Sequence, residues 1–300
     1  MIPPKRVLVG VDFSECSRTA LAFAARLTLQ VGGDLDVLHV QEPMLTAAAR
    51  TARVNLTTES VEELQRVIQF TPPAVETRPE TFVICGTPGT VLCDIAAREQ
   101  ADLLVVGAHG MTGAAQWLFG ANTERALRHA RMSVLVVPSG WRPPSPETND
   151  LTGLGPVIVA ADFTEPALLA VRAATRLARL LTTSLTVLHV VPELRVPDRW
   201  MVYANDAVTE AARRASLDLN ALLSPIKDVV PMNLRVVTGD VVGSILRAAE
   251  PQNSYQPLLV LGRRPLEAGE NAPGTVVSRA LASLHVPLLV VHESEENSDA

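Results

Sequence analysis

The sequence predicts an α/β chain made of two tandem, doubly wound sandwiches, each built on a five-stranded parallel sheet. Short Val- and Leu-rich runs alternate with longer stretches of helical periodicity, the pattern of buried parallel strands joined by crossover helices. The whole alternation then repeats. Val9-Gly10-Val11-Asp12-Phe13-Ser14-Glu15 returns as Val159-Ala160-Ala161-Asp162-Phe163-Thr164-Glu165, and Val37-Leu38-His39-Val40 returns as Val187-Leu188-His189-Val190. Three further landmarks follow in the same order: 85–88 with 238–241, 105–107 with 260–262, and 134–137 with 288–291. Ordered self-similarity of this kind is the mark of a tandem duplication.

In the first copy the strands are expected at 6–11, 35–40, 81–85, 103–107 and 133–137. A helix is expected over 18–31, with Ser14 as its N-cap, and the equivalent cap in the second copy is Thr164, followed by Pro166 in the opening turn where a missing N–H costs nothing. Residues 46–70 read as helical, with Glu59, Glu62, Glu63 and Arg66 on a solvated face, and 205–223 is the matching stretch. The apolar last strands, 134–137 and 288–291, leave edges that need cover, so the two copies are expected to pack through them as an internal pseudo-dimer. The sequence leaves open whether two chains then form a homodimer. Pro, Ser and Gly are dense from Ser139 onward, which punctuates structure. The domains are therefore placed at 1–140 and 156–292, with a linker at 141–155 and a disordered acidic tail at 293–300.

Composition agrees and excludes several functions. A length of 300 residues suits two domains of about 150 residues each. Lys and Arg number 12 against 14 Asp and Glu in 1–140, and 13 against 12 in 156–292, so neither half has the positive bias of a nucleic-acid binder. No run approaches the ~20 apolar residues of a membrane span, and the start leads directly into a strand, so no membrane association is expected and the chain is read as soluble and cytoplasmic. Cys16, Cys85 and Cys93 are odd in number and lack ligand spacing; they are read as buried thiols, with no disulfide and no metal site.

The chemistry concentrates in Val105-Val106-Gly107-Ala108-His109-Gly110-Met111-Thr112-Gly113, continued by Gly120-Ala121-Asn122-Thr123. Glycines allow close backbone approach, and the free N–H groups at a helix start attract anions such as phosphate. In doubly wound sheets, ligands sit outside the carboxyl ends of the strands, where strand order reverses. Asp12 at the end of the first strand, His39 and Val40 at the end of the second, and Gly107 at the end of the fourth can converge there. A nucleotide is the expected ligand. His39 and His189 are read as structural, whereas His109 lies within reach of a phosphate.

On these residues the chain resembles the universal stress protein family. The carriers are Asp12-Phe13-Ser14, Leu38-His39-Val40 and the family's G-x2-G-x9-G-S/T motif, present as Gly107, Gly110 and Gly120-Ala121. The stretch from Glu124 to Ala130 before the last strand adds to it. The resemblance implies a Rossmann-like sheet of the adenine nucleotide alpha hydrolase type, pairing through the last strand, and binding of ATP, with Mg reachable from Asp12. Carried over position by position, it implies a site of Asp12, Val40, Val106, Gly107, His109, Gly110, Gly120, Ala121, Asn122 and Thr123. Ala121 replaces the motif's Ser/Thr; the lost hydroxyl contact is worth ~0.5–1.5 kcal/mol, and Thr123 is expected to donate in its place.

The second copy departs further. Gly262-Arg263-Arg264-Pro265 has proline at the second glycine, and eight residues rather than nine precede Gly274-Thr275. Proline removes an N–H and fixes φ, so Asp162, Val190, Gly262, Gly274 and Thr275 are expected to form a degenerate site, with Arg263 and Arg264 as solvated surface residues. The implied function is a stress-response or regulatory protein in which ATP alters domain pairing or partner binding. A slow ATPase and a nucleotide-free adaptor are the alternatives. The first is weakened by the lack of a Walker A lysine or an evident general base.

Overall fold

The computed structural model describes residues 4–110, 120–144, 148–151, 153–194, 196–227, 229–251, 256–263, 275–283 and 285–292. In the first half, β1 (Arg6–Gly10), β2 (Asp34–Gln41), β3 (Glu80–Cys85), β4 (Leu103–Gly107) and β5 (Ser133–Val137) alternate with α1 (Glu15–Val31), α2 (Pro43–Thr51), α3 (Leu56–Gln69), α4 (Pro72–Thr77), α5 (Pro88–Arg98) and α6 (Ala121–His129). In the second, β6 (Val157–Ala160), β7 (Leu185–Pro192), β8 (Met232–Gly239), β9 (Leu258–Gly262) and β10 (Leu288–Val291) alternate with α7 (Glu165–Leu180), α8 (Met201–Leu223), α9 (Val241–Ala248) and α10 (Thr275–Ser283).

The strands form one ten-stranded sheet in the order β3-β2-β1-β4-β5-β10-β9-β6-β7-β8. Pairing is parallel within each half, as expected of strands that read as unbroken apolar runs buried on both faces. The halves meet at an antiparallel seam, with Val136 opposite Leu288, Leu135 opposite Leu289 and Val134 opposite Val290. Each half thus covers the other's last strand, and among the described residues β3 and β8 are left as the edges. Two apolar layers flank the sheet, and both continue across the seam.

Caps set the helix bounds. The Ser14 side chain accepts from Ser17 N–H, so α1 begins at Glu15, three residues before the expected start. Gly32, in the left-handed region at φ 67°, ends it. Thr164 precedes α7 without capping it; its hydroxyl donates to the Asp162 carboxylate, and Pro166 sits in the opening turn as expected. The single helical stretch anticipated at 46–70 is instead two helices, because Arg53 takes φ 57° and Val54 N–H returns to the Ala49 carbonyl. α2 buries no residue, whereas α3 buries Ser60, Leu64 and Val67 and turns Glu59, Glu62 and Arg66 to solvent.

The segment between the halves stops regular structure, yet it is packed. Trp141 is 1% exposed and meets Phe23 edge-on at 4.9 Å, and Leu151 and Leu154 are buried in the same layer. Gln30 accepts from Leu151 N–H at 3.1 Å and donates to the Leu180 carbonyl at 3.0 Å, joining α1, the connecting segment and α7.

Three expectations need correction or fall outside the described residues. Arg263 is not a solvated arginine. Its guanidinium crosses the seam and donates to the carbonyls of Arg128 (2.6 Å) and Ala130 (3.0 Å), capping the C-terminal end of α6, where a cation also meets the negative end of the helix dipole. Cys16 and Cys93 are buried, but Cys85 is exposed, because β3 is an edge strand and its last residue faces outward. Arg264, Pro265, Gly274, residues 111–119 and the tail 293–300 lie outside the described residues. Among the described residues no helix is long and apolar enough to cross a membrane, and no cluster of His, Cys, Asp and Glu is arranged to hold a metal ion.

Two measurements test this packing. Trp141→Ala should lower unfolding free energy by ~3–5 kcal/mol in denaturant titration; a loss below about 0.5 kcal/mol, the range of surface changes, would mean that the connecting segment is not part of the core. Burial pushes the Cys93 thiol up to about 11 and also raises that of Cys16, so iodoacetamide should alkylate the native chain at Cys85 alone and reach the other two only after unfolding, as read by mass spectrometry.

Candidate functional site

The order β2-β1-β4 reverses between β1 and β4, which places the first half's crevice at the carboxyl ends of these two strands. β1 ends at Gly10, and Val11 extends the ladder by donating to the Leu38 carbonyl. Asp12 follows, half-buried. Its Oδ1 accepts from Ser14 N–H at 3.0 Å while its own N–H donates to Ser17 Oγ at 3.2 Å. Phe13 between them takes φ 67°, a left-handed conformation that turns the chain sharply into α1. The Asp12 carboxylate is thereby held at the crevice mouth.

The glycines pack around it. A Cβ on Gly107 would lie 3.0 Å from Cys16 C and Sγ, so glycine is what lets the end of β4 rest on the first turn of α1. A Cβ on Gly110 would lie 2.9 Å from Asp12 Oδ2, which brings the loop backbone against the carboxylate. Gly120 N–H donates to the Ala108 carbonyl at 3.0 Å, and a Cβ there would be 3.5 Å from Gly110 N. These three positions and Asp12 share one small volume.

Gly120 is the N-cap of α6, with no side-chain cap bond, and Ala121 and Asn122 are exposed in its first turn. Amides at this point of a helix have no partner within it and face outward as anion donors. Thr123 does not replace the hydroxyl missing at Ala121: it is buried, and its hydroxyl donates to the Gly107 carbonyl at 2.8 Å. It latches the start of α6 to the end of β4. Val106 is likewise buried in the core, so it offers the crevice only backbone, and Val40 is half-buried at the end of β2.

His39 is structural. Its Nδ1 lies 2.8 Å from the Val11 carbonyl and its ring lies 4.2 Å from that of Phe13. Burial lowers its pKa against the opposing pull of the Val11 carbonyl and Asp12, which favours the neutral ring. His189 repeats the arrangement, 2.7 Å from the Ala161 carbonyl and beside Phe163 at φ 63°. His109 is half-buried, its N–H donating to Cys16 Sγ at 3.5 Å. From the sequence Cys16 reads only as a buried thiol, not as part of the site; its thiol donates to the Val137 carbonyl at 3.3 Å and floors the glycine loop. Its position on the inward face of α1 was the available signal.

The second half keeps the frame and changes the loop. Asp162 Oδ1 accepts from Thr164 N–H at 3.2 Å, and Gly262 is again required, since a Cβ would run into the Pro166 carbonyl. Asp162 is exposed, Val190 is buried and Thr275 opens α10. Arg263, next to Gly262, is turned away to α6 of the first half.

Comparison with known proteins agrees with this geometry. The family model described as the universal stress protein family matches twice, over residues 3–138 and 154–292. A universal stress protein of Methanocaldococcus jannaschii is 25% identical over 138 residues, covering 44% of this chain and 81% of its own length. One from Mycobacterium tuberculosis is 30% identical over 146 residues, covering 44% of this chain and 95% of its own. The crystal structure of a universal stress protein from Archaeoglobus fulgidus superposes with a TM-score of 0.69 at 18% identity, over 96% of this chain and 98% of that one, and so shares the fold from end to end. With both halves matched by the family model, and with the same order of strands and helices in each, the chain belongs to the universal stress protein family as a tandem, two-domain member.

Proposed function

We propose that the first half binds ATP in the crevice between β1 and β4, and that the chain acts as a stress-response or regulatory protein whose partner binding depends on that nucleotide. The observation that carries this reading is the convergence of Asp12, Gly107, Gly110 and the start of α6 at Gly120 on one crevice at the strand switch point. Bare backbone on the loop and outward amides on α6 suit a polyphosphate. The Asp12 carboxylate beside them would repel a bare triphosphate, which favours ATP carrying Mg2+, the ion supplying charge neutralisation. Val40 and the Asp12–Phe13 turn border the adenosine side. The nucleotide is read as acting on a partner surface rather than on the joint between the halves, since the seam strands are buried and hydrogen-bonded throughout.

We read the second half as a partner domain without a competent site, with domains at 1–140 and 156–292. Arg263 supports this, because the side chain that follows Gly262 is committed to α6 across the seam.

Calorimetry of the full chain with MgATP should give one site per chain; two sites, or none at millimolar ligand, would overturn the reading. Gly120→Val is the informative variant. Its Cβ has room in the fold and costs the helix about 1 kcal/mol as an N-cap, but it fills the phosphate approach, so affinity should fall at least tenfold, or ~1.4 kcal/mol, with the melting temperature little changed. Asp12→Asn keeps the acceptor for Ser14 N–H while removing the charge, and should abolish the Mg2+ dependence of binding. Unchanged behaviour in both variants would move the nucleotide elsewhere.

A further inference from the structure

At the amino ends of the second half's strands, opposite the glycine loops, lies a pocket of about 480 Å3 lined in part by Pro156, Ser184, Thr186, Asn233, Arg235 and Glu250. That volume is in the range of small-molecule sites. The duplication supplies an internal control. Strand register makes Arg6 the counterpart of Pro156, Asp36 of Thr186, Glu80 of Asn233 and Phe82 of Arg235.

In the first half these positions plug themselves. Arg6 Nε sits 2.7 Å from Asp36 Oδ2, its terminal nitrogen is 3.3 Å from Glu80 and 4.0 Å from Glu99, and Asp36 is 1% exposed. Phe82 packs against the adjoining core. In the second half the long cation has become Pro156, both carboxylates have become neutral, and the apolar plug has become Arg235. Together the changes remove the Arg6 ion-pair cluster that fills the first half's recess and place a guanidinium where the aromatic ring stood. Thr186 keeps a buried hydroxyl at its base. Among the described residues, Arg235 and Glu250 make no hydrogen bond or ion pair, with each other or with another group.

We propose that this pocket is a second ligand site, for a small zwitterion of the amino-acid class. A guanidinium recognises a carboxylate through paired N–H donors, and Glu250 supplies the acceptor for an ammonium group. Ser184, Thr186 and Asn233 provide the neutral hydrogen-bonding groups that orient such a ligand. The site is independent of the nucleotide reading, being in the other half and at the other end of the sheet.

The test uses the full chain and the individual proteinogenic L-amino acids as probes, by calorimetry and ligand-observed NMR at millimolar concentration. At least one should bind saturably, with MgATP affinity unaffected. Arg235→Ala and Glu250→Ala, both on exposed side chains, should each weaken it about tenfold at unchanged melting temperature. Pro156→Arg combined with Thr186→Asp should rebuild the first half's plug and abolish binding; should that pair fail to fold, the two alanine variants decide. No binding by any amino acid, binding indifferent to Arg235→Ala and Glu250→Ala, or acetate and phosphate binding as tightly as the amino acid would each overturn the proposal.

Discussion

The antiparallel seam between β5 and β10 is the constraint on which the rest depends. Three residues from each strand, Val134 to Val136 and Leu288 to Val290, pair there. All six are buried. A sheet edge of this apolarity would invite other strands if left open; joining the two edges removes the hazard and merges ten strands into one body. Burying a Val or Leu side chain contributes ~1.5–3 kcal/mol, so the seam is a core in its own right. The halves are in consequence a fixed pair, which is why regulation is better sought on the outer surfaces than in opening the joint.

The seam also assigns unequal tasks to two copies that began alike. Gly107 and Gly262 occupy equivalent positions and are required for the same reason, close contact with the first turn of the first helix of their own half. The next residue differs. Ala108 in the first half leaves the loop free to fold toward Gly120, whereas Arg263 reaches across to hold the end of α6. One helix is thus tied at its start by Thr123 to its own β4 and at its end by a side chain from the other half. A similar divergence marks the amino ends of the strands, where Arg6 and Asp36 close a space that Pro156 and Thr186 leave open.

Much of the candidate site was legible because glycine and aspartate report local backbone needs. Gly107 and Gly110 were picked out by spacing alone, and they prove to be places where a Cβ would collide. His39 and His189 were read as structural and each bonds a backbone carbonyl. Thr123 was harder. Its hydroxyl has two eligible uses, an outside ligand or the Gly107 carbonyl, and nothing in its neighbours along the chain tells which lies nearer. Cys85 was misjudged because a terminal position on an edge strand looks, in sequence, like any other apolar strand end.

By itself the sequence determined the duplication, the alternation of parallel strands and helices, the cap at Ser14, and the glycine positions of the crevice. These are local properties: periodicity records which face is buried, and a cap is satisfied within one turn. Only the tertiary structure decided that Arg263 is an interdomain cap, that Trp141 fills the core beside Phe23, that Arg53 breaks one helix into two, and that a pocket opens at the amino ends of the second half's strands. The physical reason is that three of these rest on groups far apart in the chain, which the seam and the sheet order bring together, and the fourth on a left-handed backbone turn that no glycine announces.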